Sequence, residues 1–125
     1  MPFTFANVAG RGALVEGNTF YDLNRISGGA IGIDPMDSIR QMDLVRELGE
    51  NLDNLEPDGP WAEGSLGAPV PHPRNSFGIG LNYKDHAEES KMDLPDIPVV
   101  FSKYPSCISG PFAEIDLRAE KGDYE

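Results

Sequence analysis

The sequence predicts an α+β fold in two unequal parts, and three observations predict it. The first third pairs β-prone runs across a Gly17-Asn18 turn and follows them with an amphipathic helical stretch. A proline- and glycine-rich segment then interrupts the chain from Glu56 to Pro73. Beyond it, short apolar strand-like runs recur around a stretch that carries a histidine and several carboxylates, Gly78 to Ser90. The expected organisation is a small hairpin-and-helix domain over residues 1–68, then over 69–125 the beginning of a larger β-structure that the chain does not finish.

Residues 3–8 are β-prone and Gly10-Arg11-Gly12 breaks the run. Ala13–Glu16 and Thr19–Leu23 flank Gly17-Asn18, a two-residue hairpin signal, so a small antiparallel sheet is expected. Gly28–Ile33 is a connection. Asp34 is then a good N-cap, with Pro35 at the first helical position and Asp37 where the helix dipole favours an anion. One helix is expected from there to about Leu55. Met36, Ile39, Met42, Val45, Leu48 and Leu52 form its apolar stripe. Gly49 interrupts it at a cost of about 1 kcal/mol relative to alanine. Asp43, Glu47, Glu50 and Asp53 form a solvated face.

Between Glu56 and Pro73 stand five prolines (57, 60, 69, 71 and 73), a density that forbids a long helix or a central strand. Pro69–Pro73 is expected to be an extended entry into the second part, with His72 a surface or packing residue. Ser76–Leu81 reads as a short buried strand, apolar at Phe77, Ile79 and Leu81. Gly78 and Gly80 allow close backbone approach; they lack the third glycine of a nucleotide loop. Tyr83–Ser90 reads as a short helix on which His86 and Glu89, three apart, share a face that Glu88 does not. A carboxylate beside an imidazole stabilises its protonated form and fixes its tautomer, as a general base needs. The same spacing also describes an ordinary surface ion pair.

Lys91–Pro98 reads as a loop and Pro98–Phe101 as a strand, with Lys103 just past its end, where loops commonly carry function. Ser106–Gly110 is turn-rich, Ala113–Leu117 alternates like a half-exposed strand, and Asp123-Tyr124-Glu125 repeats the alternation.

Composition removes several function classes. A net charge of −11 over 125 residues argues against nucleic acid and anionic membrane, because phosphate binding needs clustered Lys and Arg. The one cysteine, Cys107, can form no internal disulfide and points to a reducing compartment. With only His72 and His86 beside it, no zinc spacing arises. No apolar run approaches the roughly 18 residues of a membrane span, and the first residues do not pattern as a signal peptide, so a cytoplasmic location is expected.

GLNYKDHAEES, then PVVFSKYPSCISGP, then DYE, resembles the fumarylacetoacetate hydrolase family, and RGALVEGNTFYDLNR with DPMDSIRQMDLVRELGENL is similar to that family's small N-terminal domain. The order and separation of these motifs over nearly the whole chain carry the resemblance. It implies a mixed β-roll catalytic domain, here truncated, and hydrolase, decarboxylase or isomerase chemistry on carbon–carbon bonds of oxo or diketo acids. It implies His86 and Glu89 as the pair that activates water, and Lys103 beside a small-molecule oxo-acid substrate; Tyr83 reads equally as a core residue or as a substrate-binding pocket wall. Glu125 matches the first glutamate of an E-x-E metal-ligand pair, the ion being Mg²⁺, with Mn²⁺ or Ca²⁺ as alternatives. The second glutamate, a later aspartate and a catalytic lysine of the family pattern have no counterpart here. The full-length parent is expected to be a homodimer, and this polypeptide alone inactive. The competing expectation is a non-catalytic N-terminal structural module or truncated product.

Overall fold

A computed structural model describes residues 3–82, 88, 91 and 96–116. Three strands form an antiparallel meander: β1 (Thr4–Val8), β2 (Arg11–Glu16) and β3 (Thr19–Asp22). Two-residue turns join them, since Val8 faces Arg11 and Glu16 faces Thr19. The first turn takes positive φ at both residues, Ala9 at 52° and Gly10 at 81°, the twist that suits right-handed strands. The Gly17-Asn18 hairpin is present as expected. The break before β2 falls at Ala9-Gly10, and Arg11 and Gly12 belong to the strand.

The proline-rich segment contributes to the same sheet. β4 (Gly59–Pro60) pairs with β3 and β5 (Leu66–Gly67) with β1, giving the order β4-β3-β2-β1-β5. Both are two-residue edge strands, the position where a residue without an N–H is tolerated.

Helix α1 (Leu23–Ile26) is capped by Asp22, whose carboxylate accepts the Arg25 N–H. Helix α2 (Pro35–Arg40) opens as expected, with Asp34 accepting the Met36 N–H and Pro35 in the first turn. The single helix expected to run to Leu55 is instead three pieces: α2, α3 (Met42–Glu50) and a 3-10 turn over Leu52–Asn54. Gln41 leaves helical geometry at φ −119° and ψ 36°, and its N–H reaches back three residues to the Ser38 carbonyl. Ser38 is fully buried against Gly12 of β2, which ties α2 to the sheet, and the break re-aims α3 so that Val45 enters the core.

Side-chain alternation gives the sheet two apolar faces. On one, Leu14 and Tyr21 pack with Leu23, Ile31, Val45 and Leu52, backed by Phe3, Phe5, Met42, Leu44 and Leu48. On the other lie Ala6, Val8 and Ala13, with Val15, Phe20 and Leu66. Met36 and Ile39 of the expected stripe are half-buried and lie outside this cluster.

β6 (Phe77–Gly80) and β7 (Val99–Ser102) form a separate antiparallel ribbon, Gly78 opposite Phe101 and Ile79 opposite Val100. The buried strand expected over 76–81 is therefore found as a strand but is not buried. Phe77 is 62% and Ile79 49% exposed, because among the described residues no further layer covers the ribbon. Ala113–Asp116 forms no strand: the chain turns at Pro111–Phe112 and finds no ladder partner among the described residues.

Candidate functional site

The described part of the expected site is built on the β6–β7 ribbon. Alternate residues share a face, so Gly78 and Gly80 lie on the same side as Val99 and Phe101. The Phe101 ring occupies the space that a side chain at 78 would take, and Val99 lies over Gly80. Two glycines on one strand thus make a floor for two apolar side chains of the next. Leu81, directly after β6, has φ 51°, a left-handed conformation that a leucine adopts at a cost of roughly 1 kcal/mol.

Lys103 stands one residue beyond β7. Its backbone N–H donates to the Ser76 carbonyl at 2.8 Å, extending the ladder by one bond, so its Cα position is fixed by the ribbon. Its side chain is exposed, with Nζ 6.0 Å from the centre of the Phe101 ring. An exposed ammonium in that position can receive an anion such as a carboxylate. The chain then passes through a 3-10 turn, Pro105–Cys107, which leaves the Cys107 thiol free and exposed.

His86, Glu89, Tyr83 and Glu125, and with them the expected 83–90 helix and the 123–125 alternation, lie outside the described residues. Glu88 of that stretch is helical and exposed. Among the described residues no group of three His, Cys, Asp or Glu side chains is placed to hold a metal ion. Of the expected catalytic, substrate and metal residues, the structure therefore locates Lys103.

A second ionisable cluster was not anticipated from the sequence. Arg11 reaches Asp22 with Nη2–Oδ1 at 3.2 Å and a shorter Nε–Oδ2 contact. Arg25 donates to both oxygens of Asp58 at 2.8 and 2.9 Å, and Asp58 also accepts the Asp22 N–H at 2.7 Å. Burial acts to raise the Asp22 carboxyl, but hydrogen bonds from Arg11 and from the Arg25 N–H outweigh it and hold the group below its usual range. These four side chains border a shallow recess of about 430 Å³ with Val8, Ala9 and Phe20. Each guanidinium is matched by a carboxylate, so the cluster fastens the Asp58 segment to the sheet rather than presenting charge. The sequence signal for it was Asp22 directly before Leu23, an N-cap hidden at the end of a strand. His72, exposed as expected, lines a separate recess with Asn7, Asp34 and Pro71.

Comparison with known proteins bears on the ribbon and on the chain beyond it. Residues 75–125 match the family model for the C-terminal domain of fumarylacetoacetate (FAA) hydrolase. Over 68 residues, 53% of its length, the chain is 38% identical to the mitochondrial oxaloacetate tautomerase FAHD2B of Homo sapiens. Over 55 residues, 44% of its length, it is 51% identical to a protein of Burkholderia cenocepacia (strain HI2424) named as a hydrolase. A crystal structure of a Mycobacterium smegmatis protein, assigned by name to HpcE, superposes on 92% of the chain with a TM-score of 0.74 and 36% identity. The matches cover 22% and 20% of the two sequence relatives and 40% of the solved chain. The chain belongs to the fumarylacetoacetate hydrolase family.

Proposed function

We propose that the whole protein is a metal-dependent enzyme acting on oxo or diketo acids by hydrolysis, decarboxylation or keto–enol isomerisation. The observation that carries this reading is the match of residues 75–125 to the FAA hydrolase C-terminal domain, alongside relatives named as a tautomerase and a hydrolase. In this reading residues 1–68 are the small N-terminal domain, and residues 69–125 open a mixed β-roll catalytic domain. Lys103 receives the substrate carboxylate and Tyr83 forms part of the pocket wall. His86 takes a proton from water or from an enol, and Glu89 orients the imidazole and stabilises its protonated form. Glu125 would be one donor to a divalent cation, Mg²⁺ first and Mn²⁺ or Ca²⁺ as alternatives. One carboxylate does not complete the shell of so hard an ion, so further oxygen donors of the whole protein are part of the proposal. When bound, such an ion supplies positive charge beside a carbonyl oxygen. A reducing, cytoplasmic setting is proposed from the free Cys107, and a homodimer for the whole protein.

The test is turnover by the protein at its natural length. Oxaloacetate with Mg²⁺ is followed by loss of enol absorbance and by pyruvate release, and an acylpyruvate by cleavage products. His86→Ala is expected to abolish turnover while calorimetry still shows the cation bound; undiminished turnover in that variant would remove His86 from the chemistry. A second reading, a non-catalytic structural module, draws on one observation: the packed core of the described residues lies within the N-terminal part, while the β6–β7 ribbon stays exposed. Absence of turnover on every oxo acid, with the cation bound, would favour it.

A further inference from the structure

Between Asp96 and Asp116 every residue is exposed except two, Ile108 and Gly110. Gly110 sits against β5. A Cβ built on it would fall 2.7 Å from the Leu66 carbonyl oxygen and 3.4 Å from the Gly67 Cα, both backbone atoms that cannot swing aside. The edge geometry explains why that oxygen is available. The Ala9 N–H donates to the Ser65 carbonyl at 2.7 Å, and the β1–β5 register sets Val8 opposite Leu66. In an antiparallel ladder the next residue along turns its N–H and C=O the other way, so the Leu66 carbonyl faces outward from the sheet. A glycine hydrogen takes the place of the missing Cβ, and only so small an atom fits beside that oxygen. The loop also covers an edge that would otherwise be open.

We propose that Gly110 is a positioning residue. By docking without a side chain on the outer edge of β5, it fixes the Lys103–Ser109 loop, and with it the Lys103 ammonium, against the N-terminal sheet. The loop is held at its other end by the Lys103 N–H on the Ser76 carbonyl, so the docking at Gly110 closes a short strap between two anchored points. The N-terminal sheet thereby becomes part of the geometry that presents Lys103 to an anionic substrate. This inference rests on the reading of Lys103 as a substrate contact; the docking itself does not.

The experiment substitutes Gly110→Val in the protein at its natural length, with Gly64→Ala, a position with nothing within 4 Å, as the control. Amide hydrogen exchange is followed at Cys107 and Ile108, whose N–H groups close the 3-10 turn, and at the β1–β3 amides. The loop amides are expected to exchange about tenfold faster or more, as a local opening equilibrium shifts, while β1–β3 and the control stay unchanged. Steady-state kinetics with oxaloacetate are expected to show KM up by about fivefold with kcat within about twofold, the sign of lost ground-state positioning. If exchange in β1–β3 also rises, Gly110→Ala replaces the valine variant. Unchanged loop exchange overturns the docking. Faster loop exchange with unaltered KM overturns the positioning role while the proposed activity stands. Absence of wild-type turnover defeats the proposed activity, and with it the positioning role, whatever the exchange shows.

Discussion

The Phe3 ring lies against Gly49 of α3 so closely that any side chain at 49 would overlap three of its ring atoms. Phe3 is partly buried at the edge of the main core and Gly49 is itself buried. Gly49→Ala would gain about 1 kcal/mol of helix propensity, yet overpacking a filled core costs about 1–3 kcal/mol. A net loss of up to about 2 kcal/mol is expected in urea unfolding. Adding Phe3→Leu should recover most of it. A Gly49→Ala protein more stable than the parent would show that the ring is free to leave.

What the sequence revealed, and what it concealed, can be traced to particular residues. The Gly17-Asn18 hairpin and the Asp34-Pro35 helix start were legible because each is a local signal, carried by residues with one favoured backbone geometry. Gly49 counted as a defect because its reason is a ring 46 positions away in sequence. The break at Gln41 was hidden for the same cause: nothing in the local propensities resists a helix there, and the burial of Ser38 against Gly12 decides it. The proline-rich segment was correctly denied a central strand, but an edge position needs only half the ladder, and two strands formed there. At the candidate site, the place of Lys103 past a strand end was readable, whereas its tie through Gly110 to the far sheet was not.

The Asp22 carboxyl gives stability a defined pH dependence. Its folded-state proton affinity is lowered, so it contributes fully above the unfolded value of about 3.9. That contribution is lost as pH falls through the lower folded value. Unfolding free energy is expected to drop between about pH 4 and the onset of acid unfolding, and the drop should be shallower in Asp22→Asn. At pH 7 this variant is expected to lose about 1–2 kcal/mol, because asparagine can still cap α1 but cannot pair ionically with Arg11. Parallel pH profiles for the two proteins would assign the acid sensitivity to other carboxylates.

Asp58 fastens the β4 segment, and Trp61 reports on it. The Trp61 indole N–H donates to the Gly17 carbonyl at 3.1 Å and its backbone N–H to the Asn18 carbonyl at 3.1 Å, so the chain's one tryptophan sits on the β2–β3 turn. Asp58→Ala removes three hydrogen bonds, two of them to the half-exposed Arg25. Solvent screening limits the loss to about 1 kcal/mol. Loosening the segment should red-shift Trp61 emission under native conditions, before the main unfolding transition. Unchanged emission would mean that the two Trp61 bonds hold the segment without Asp58.

Lys103 separates structural from chemical importance. Its backbone bond to Ser76 survives any substitution other than proline, and its side chain makes one described contact, the exposed approach to the Phe101 ring at 6.0 Å. Such a contact at an exposed site is worth at most about 0.5–1 kcal/mol, and less at the long end of its range. Lys103→Met keeps an apolar stem of similar length and removes the charge. Stability is therefore expected to change by less than about 0.5 kcal/mol in urea unfolding. If the ammonium receives a substrate carboxylate, the same variant of the natural-length protein should raise KM for oxaloacetate about tenfold or more, an ion-paired hydrogen bond being lost from the bound state. Raising the salt concentration should weaken wild-type binding more steeply than the variant's, since the wild type has one more charge there to screen. A variant with unaltered stability and unaltered KM would leave Lys103 a solvated surface residue.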